Sequence, residues 1–185
     1  MKEIQTAEKR RKKESRNKLI VGLILIALMV FSTVGYALYY RSDEEQETEK
    51  YNGLSFVKNG FWQTNIYENK FSFSFHPKET ENVEVNINKR LSDYANKPLY
   101  FVNNNAGLQE IARNLEKFVL RMQMACYESC EEELPIKNCT DNLIIFEESV
   151  KVEISEKDNC VFIKAPDSEI VRVSDAFVYR LLGIR

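Results

Sequence analysis

"GLSFVKNGFWQTNIYENKFSFSFHP", residues 53–77, contains the clearest local evidence for the fold of this chain, because its apolar and polar residues alternate around two turn signals. Alternation with a period of two is typical of strands that bury one face. Asn59-Gly60 is a preferred pair for a hairpin turn, and Glu68-Asn69-Lys70 separates the next two runs. The pattern predicts three antiparallel strands, near 53–57, 61–67 and 70–75.

Downstream of these strands the apolar period changes. "NVEVNIN" at 82–88 predicts a fourth strand, and "PLYFV" at 98–102 predicts a short buried one. After the turn "NNNAG", apolar residues recur at helical spacing from Leu108 to Met122, which predicts an amphipathic helix of about twenty residues. Cys126 extends the buried stripe of that helix.

The remaining chain predicts more strands and a closing helix. The strands are "NLIIFEE", "VKVEIS" and "NCVFIKA". Asp167 or Ser168 can cap the helix, and Gly183 can end it. Residues 53–185 therefore predict one α+β (mixed α/β) domain with an antiparallel meander, a long amphipathic helix, further strands and a C-terminal helix.

Residues 19–40, "LIVGLILIALMVFSTVGYALYY", carry no charge, and their length is close to the ~20 apolar residues that span a bilayer. Eight Lys or Arg precede them and an acidic run follows. Because basic residues favour the cytoplasmic side, we expect a basic cytoplasmic tail (1–18), a transmembrane helix (19–40) and an acidic stalk (41–52) before the outer domain. A signal peptide that is cleaved after residues 1–37 remains the alternative.

The charge distribution restricts the partners of the outer domain. Residues 41–185 hold 18 Lys or Arg and 25 Asp or Glu, a net charge of −7. An acidic domain argues against nucleic acid as a partner. The membrane and a protein of the cell envelope are the partners that the sequence predicts.

The four cysteines are Cys126, Cys130, Cys139 and Cys160. Outside the cytoplasm two disulfides are the default, with a zinc site or reduced core cysteines as alternatives. Side chains four residues apart at a helix end run parallel, which disfavours a bridge between Cys126 and Cys130. Because Cys126 points into the predicted core and Cys160 begins a predicted buried strand, the preferred pairs are Cys126–Cys160 and Cys130–Cys139. Asn138 begins the glycosylation acceptor Asn-Cys-Thr, a possible modification site in an exposed loop.

The sequence predicts no catalytic residue, no metal site and no cofactor. The chain has one histidine, His76, which precedes a proline at a strand end and is interpreted as a turn residue. The acidic runs at 43–49 and 131–133 lack the ligand spacing of a calcium loop. A pair of carboxylates that is distant in sequence stays open as an active site.

"NCVFIKAPDSEIVRVSDAFVYRLLGIR", residues 159–185, and "FSFSFHPKETENVEV", residues 71–85, resemble a group of small single-pass archaeal membrane proteins of uncharacterised function. The resemblance implies an extracytoplasmic four-cysteine domain behind a membrane anchor, and it implies no activity.

These observations predict a membrane-anchored, non-enzymatic cell-envelope protein. Its location is the cell membrane, with the C-terminal domain outside the cytoplasm, and its disulfide-stapled domain serves in protein interaction or assembly. An extracytoplasmic carboxylate-dependent hydrolase and a solute-binding or sensor module are the alternatives.

Overall fold

The computed structural model of the chain describes residues 7–39, 47–130 and 133–185. The chain divides into two compact units, Met1–Glu45 and Gln46–Arg185. Residues 1–6 of the predicted basic tail, residues 41–46 of the predicted stalk and residues 131–132 of the second acidic run lie outside the described residues.

Within its described residues, 7–39, the first unit consists of one helix, α1 (Ala7–Tyr39). No helix in the described part of the chain combines the length and the apolar composition that crossing a membrane requires, so the predicted transmembrane helix over 19–40 is wrong. The helix begins inside the basic segment, and nine of its first twelve residues are charged. The uncharged run therefore does not form a helix of its own.

The second unit contains twelve strands and three α-helices within its described residues. In chain order they are β1 (Thr48–Tyr51), β2 (Leu54–Asn59), β3 (Phe61–Ile66), β4 (Asn69–Phe73), β5 (Glu84–Asn86), α2 (Leu91–Tyr94), β6 (Pro98–Val102), α3 (Ala106–Leu115), β7 (Arg121–Met124), β8 (Cys126–Tyr127), β9 (Ile136–Lys137), β10 (Leu143–Glu148), β11 (Glu153–Lys157), β12 (Cys160–Ala165) and α4 (Ile170–Leu181). The mixed α/β class that the sequence predicts agrees with this order.

Strands β1 to β4 form an antiparallel meander in sequence order. The three strands predicted from residues 53–77 are confirmed as β2, β3 and β4. Gly60, in the first turn, has a φ of 70°, a conformation that glycine adopts without steric cost. The strand β1 pairs with β2, so residues 48–51 of the predicted stalk belong to the meander.

The second sheet has six strands in the order β5-β11-β12-β10-β6-β7. Strands β12, β10, β6 and β7 are parallel to one another, whereas β11 is antiparallel to β12. The predicted strand at 82–88 is β5, and it pairs with β11 of this sheet rather than with the meander.

Helices α3 and α4 pack against each other between the two sheets. Helix α4 contacts β12, β11 and β5 of the larger sheet, and α3 contacts β4 of the meander. The rings of Phe73 and Tyr179 lie 4.1 Å apart between centroids in this core. Of the aromatic residues that alternate along the meander, Phe56, Trp62, Phe71 and Phe73 are buried, whereas Phe61 is 39% exposed.

The predicted helix of about twenty residues after "NNNAG" is wrong in length. Helix α3 ends at Leu115, the chain turns, and residues 121–124 form β7. Met122 and Met124 are half-buried and alternate with exposed neighbours, a pattern that fits a strand. The helical spacing of apolar residues continued through the turn by coincidence, because Phe118 and Val119 pack on the core from that turn.

Candidate functional site

Four parallel strands end at the same edge of the larger sheet. Val102 of β6 lies opposite Ile145 of β10, and Ala165 of β12 lies opposite Glu148. The strand β7 reaches this edge on the other side of β6. Ligands of open α/β sheets bind outside the carboxyl ends of the strands. This edge is therefore the first place to look for a site.

The chain leaves β6 through three asparagines that connect it to α3. Asn103 has a φ of 66°, which Asn tolerates better than most residues, and its Nδ2 donates to the Phe146 carbonyl at 2.7 Å. The Oδ1 of Asn105 accepts from the Leu108 N–H at 3.2 Å and caps the helix. Asn104, between them, is exposed, and the structure gives its side chain no hydrogen bond.

Two cavities have Asn103 and Asn104 in common among their lining residues. The first, of about 280 Å³, is walled by the Cys126–Cys130 bridge, Tyr127 and Leu134. The second, of about 250 Å³, lies over the ends of β10 and β12. Both lie along the ends of the parallel strands, and we call the pair of cavities the carboxyl-edge crevice.

Acidic side chains give the carboxyl-edge crevice its charge. Glu147, Glu148 and Asp167 line the second cavity. The Lys164 Nζ lies 3.2 Å from a Glu147 oxygen and so neutralises that carboxylate. Glu148 and Asp167 are exposed and have no ion pair with any residue that the structure describes. The crevice therefore offers amides and two uncompensated carboxylates.

The cysteines form two disulfides, Cys126–Cys130 and Cys139–Cys160. The prediction of a disulfide framework is confirmed, but the predicted pairs, Cys126–Cys160 and Cys130–Cys139, are wrong. The prediction placed Cys126 and Cys130 on one face of a helix. They lie instead on either side of a turn in which Glu128 has a φ of 62°, and their Cα atoms are 5.7 Å apart.

The two bridges occupy different environments. Cys160 is fully buried in β12, and Cys139 packs against the same apolar cluster on the outer face of the larger sheet. Cys126 is 4% exposed, whereas Cys130 is exposed. Tyr127 lies between the bridges, with its hydroxyl oxygen 3.8 Å from the Cys139 Sγ. Burial raises the pKa of Tyr127, and the Glu128 carboxylate adds to the rise.

A row of side chains from α3 and from the turn after it covers the open edge of β4. Ser72 exchanges two hydrogen bonds with the Asn114 side chain, and Ser74 donates its hydroxyl hydrogen to Glu110 Oε2 at 2.8 Å. The Lys117 Nζ donates to the Lys70 carbonyl at 2.9 Å. Four helical residues rise about 6 Å and two strand residues about 6.7 Å, so the two spacings match.

A second buried carboxyl group, Asp175 of α4, continues this row. Its Oδ2 accepts from the Phe75 N–H at 2.8 Å. Burial raises the pKa of Asp175 well above its ordinary value of 3.8, and the charge of Glu110 raises it further, while the Phe75 N–H and Arg113 oppose the rise. No donor among the described residues reaches Asp175 Oδ1. A hydrogen bond between the carboxyl groups of Asp175 and Glu110 therefore requires that one of the two is protonated.

Glu110 and Asp175 are a pair of carboxyl groups that lie far apart in the sequence and close together in the fold. The sequence left such a pair open as an active site. Glu110 is 2% exposed and Asp175 is fully buried. Their oxygens bind backbone and hydroxyl groups of residues 74 and 75 as well as Arg113, which lies 2.7 Å from Glu110. Because they have no exposed surface for a substrate, their contacts indicate a structural role in fastening the meander to the helices.

His76 lies at the start of a short 3-10 helix, Pro77–Thr80. It is 2% exposed, and its ring packs edge-on against Phe56 and Trp62, with centroids 5.1 and 4.7 Å away. Its Nδ1 accepts from the Lys78 N–H at 3.4 Å. Burial lowers the pKa of His76, although the nearby Glu49 carboxylate favours the charged form.

Asn138, the predicted glycosylation site, is exposed. Its Oδ1 accepts from the Thr140 N–H at 2.9 Å and from the Thr140 hydroxyl at 2.7 Å, an arrangement that shapes the loop before Cys139. Glycosylation of this site stays a prediction.

A metal site needs several ligand side chains close together. Within 7–39, 47–130 and 133–185 there is no group of three or more His, Cys, Asp or Glu side chains placed to hold an ion. The absence of a metal and of a cofactor remains an expectation from the sequence.

Comparisons with models of protein families, with curated proteins and with solved structures find no match to this chain. The resemblance to small archaeal membrane proteins stays a prediction, and so do the hydrolase and sensor alternatives. The site must therefore be interpreted from its own geometry. The sequence indicated "NNNAG" only as a turn, because the ends of β10 and β12 come from residues more than forty positions away.

Proposed function

We propose that residues 46–185 form a non-enzymatic recognition domain that works in an oxidising compartment outside the cytoplasm. Its ligand is a basic segment of a partner protein, bound in the carboxyl-edge crevice. The observation that carries this proposal is the pair of cavities that share Asn103 and Asn104 in their linings, where four parallel strands end. Ligand pockets occur preferentially at such places.

The chemistry of the crevice supports a polypeptide ligand. A primary amide side chain offers two N–H donors and one acceptor oxygen, so Asn104 can pair with both polar groups of a peptide unit. Glu148 and Asp167 lie beside it without a cation of their own. A Lys or Arg of the partner would supply that cation.

The charge of the whole domain acts in the same direction. Residues 41–185 carry a net charge of −7. Such a domain attracts basic surfaces during diffusional encounter and repels acidic ones. The two disulfides support a location outside the cytoplasm, because cytosolic reductants keep most cysteines reduced.

A non-enzymatic role is supported by the way in which the acidic residues are used. The buried carboxyl groups of Glu110 and Asp175 bind the backbone of the meander, and the exposed carboxylates line the crevice without a neighbouring histidine. The membrane remains a predicted partner and the cell membrane a predicted location.

The test is a titration of the full, oxidised chain with an acetylated pentapeptide that contains two Lys among Gly and Ser residues. Binding is monitored by the NMR shifts of the backbone amides. We expect shifts at Asn103, Asn104 and Glu148, and weaker binding at high salt, because exposed charges are screened within about 8 Å at physiological ionic strength. The same peptide with Glu in place of Lys should not bind.

A matched pair of variants locates the charge effect. The double substitution Glu148→Gln/Asp167→Asn should weaken binding of the Lys peptide by about tenfold, equivalent to about 1.4 kcal/mol. Glu68→Gln/Asp158→Asn removes the same net charge at exposed sites outside the crevice and should leave the affinity within about twofold of the original. Equal loss in both variants, or shifts confined to other surfaces, would contradict the proposal.

A further inference from the structure

The two disulfides differ in their access to an external thiol. The Cys139–Cys160 bridge joins Cys160, which is fully buried in a strand of the larger sheet, to Cys139, which is half-buried. The Cys126–Cys130 bridge has one buried and one exposed residue, and the exposed one lines the first cavity of the carboxyl-edge crevice. Thiol–disulfide exchange requires a thiolate to reach one sulfur atom in line with the bond, so access controls its rate.

The Cys126–Cys130 bridge also constrains little of the fold. It joins residues four positions apart, whereas Cys139–Cys160 joins residues that are 21 apart. In the chain-entropy account, a bridge that closes a shorter loop stabilises the folded state less. We therefore expect the domain to remain folded when the shorter bridge is open.

Other contacts hold the first part of this turn in place. The Cys126 N–H donates to the Pro135 carbonyl at 3.0 Å, and the Glu128 N–H donates to the Lys137 carbonyl at 3.0 Å. The Tyr127 ring packs edge-on against Phe162 of β12. These contacts keep residues 126–128 on the sheet, so opening the bridge would remove the covalent link between this strand and Cys130 in the wall of the crevice.

From this arrangement we propose that Cys126–Cys130 is a thiol–disulfide exchange site that a protein dithiol of the same compartment reduces, while Cys139–Cys160 stays oxidised. Reduction breaks the covalent link within one wall of the carboxyl-edge crevice and weakens binding of its ligand. The regulatory part of this inference rests on the proposed recognition function, whereas the exchange site does not.

The exchange proceeds in two steps. One thiolate of the dithiol attacks the Cys130 Sγ, a mixed disulfide forms, and the Cys126 sulfur leaves as a thiolate that takes up a proton. The second thiolate of the dithiol then attacks the dithiol's other sulfur, the one bonded to Cys130. This step releases Cys130 as a thiolate, which is protonated in turn. The dithiol is oxidised to a disulfide, and two electrons and two protons pass to the cysteine pair.

The exchange site is tested on the full chain with dithiothreitol as the dithiol. The native protein is incubated with increasing dithiothreitol, quenched with iodoacetamide and mapped by mass spectrometry. We expect Cys126 and Cys130 to be alkylated at about tenfold lower dithiothreitol than Cys139 and Cys160, and the difference to vanish in concentrated urea. Alkylation of all four cysteines together in the native protein, or of Cys139 and Cys160 first, would overturn the exchange site.

The regulatory part is tested by titrating the selectively reduced protein with the two-Lys pentapeptide. We expect affinity to fall about fivefold and to return after reoxidation, and the variant Cys126→Ser/Cys130→Ser to show the same loss with an unchanged circular dichroism spectrum. Equal affinity of the oxidised and reduced forms would refute the regulation. If the oxidised chain binds no peptide, the recognition function fails, while the order of alkylation still decides the exchange site.

Discussion

Asn114 closes the edge of β4 by pairing with both backbone polar groups of a single residue, Ser72. The Ser72 N–H donates to the Asn114 Oδ1 at 2.9 Å, and the Asn114 Nδ2 donates to the Ser72 carbonyl at 2.8 Å. The side-chain amide thus takes the place of a neighbouring strand. Exposed strand edges are prone to pair with other chains, and covering one with a helix is a common protection.

The first prediction concerns this pair. Asn114 is 1% exposed, so Asn114→Leu would leave the N–H and carbonyl of Ser72 without partners in a buried place. We expect the free energy of unfolding to fall by about 2–4 kcal/mol, as measured by urea denaturation, because unsatisfied buried polar groups keep their full desolvation cost. Asn65→Leu, at an exposed position of β3, serves as the control and should change stability by less than about 0.5 kcal/mol. A similar small change at Asn114 would show that the edge is not held by this side chain.

The second prediction concerns the pH dependence that Asp175 creates. Its raised pKa means that the folded state holds the Asp175 proton in a range where the unfolded chain has released it, starting at about pH 4. The unfolded state binds fewer protons there, so this contribution to stability is present below pH 4 and is lost as pH rises through the raised pKa.

The variant Asp175→Asn tests whether Asp175 causes stability to fall as pH rises. Its amide oxygen can still accept from the Phe75 N–H, and its amide nitrogen can donate to Glu110 without a titrating proton. The free energy of unfolding, measured by urea denaturation between pH 4.5 and 8, should fall less steeply with pH for this variant than for the original chain. Asp158→Asn, at an exposed turn position, should keep the original slope. Identical slopes for the original chain and Asp175→Asn would contradict the prediction.

The third prediction concerns His76, the one histidine of the chain. Because burial lowers its pKa, the unfolded chain takes up the imidazole proton at a higher pH than the folded state does. Stability is therefore lost as pH falls from 6.5 through the lowered pKa. The single imidazole signal in an NMR titration should therefore have a midpoint below 6.5. A midpoint at or above 6.5 would mean that Glu49 outweighs the effect of burial.

The fourth prediction concerns Gly107 at the start of α3. A Cβ at this position would collide with the Ser174 Oγ and would lie 3.0 Å from atoms of Ile170 and Phe146. We expect Gly107→Ala to destabilise the domain by about 1–3 kcal/mol, as measured by urea denaturation, because overpacking forces the helices apart.

Ser174 provides the matched control for this contact. Its buried hydroxyl has no hydrogen-bond partner among the described residues, so Ser174→Ala should change stability by less than about 1 kcal/mol. The double variant Gly107→Ala/Ser174→Ala should recover part of the loss, since the atom in the closest contact is gone. Strict additivity of the two changes would show that the two side chains do not meet.

Local pattern predicted the elements of this domain better than their arrangement. The alternation in residues 53–77 indicated β2 to β4, and the spacing before Gly183 indicated α4. The length of α3 was overestimated because apolar residues of the following turn continued the helical spacing. The membrane-spanning helix was predicted from the uncharged run alone, whereas the helix that forms also includes the charged residues before it.

The sequence by itself determined the mixed α/β class and the order of most strands and helices, because each depends on periodicity or turn residues within a short segment. Only the tertiary structure decided which cysteines pair, which sheet β5 joins, and that Glu110 and Asp175 meet beneath β4. It also decided that the carboxyl-edge crevice exists at all. These features depend on contacts between residues far apart in the chain, and such contacts are specified by the packing of the whole core rather than by any local pattern.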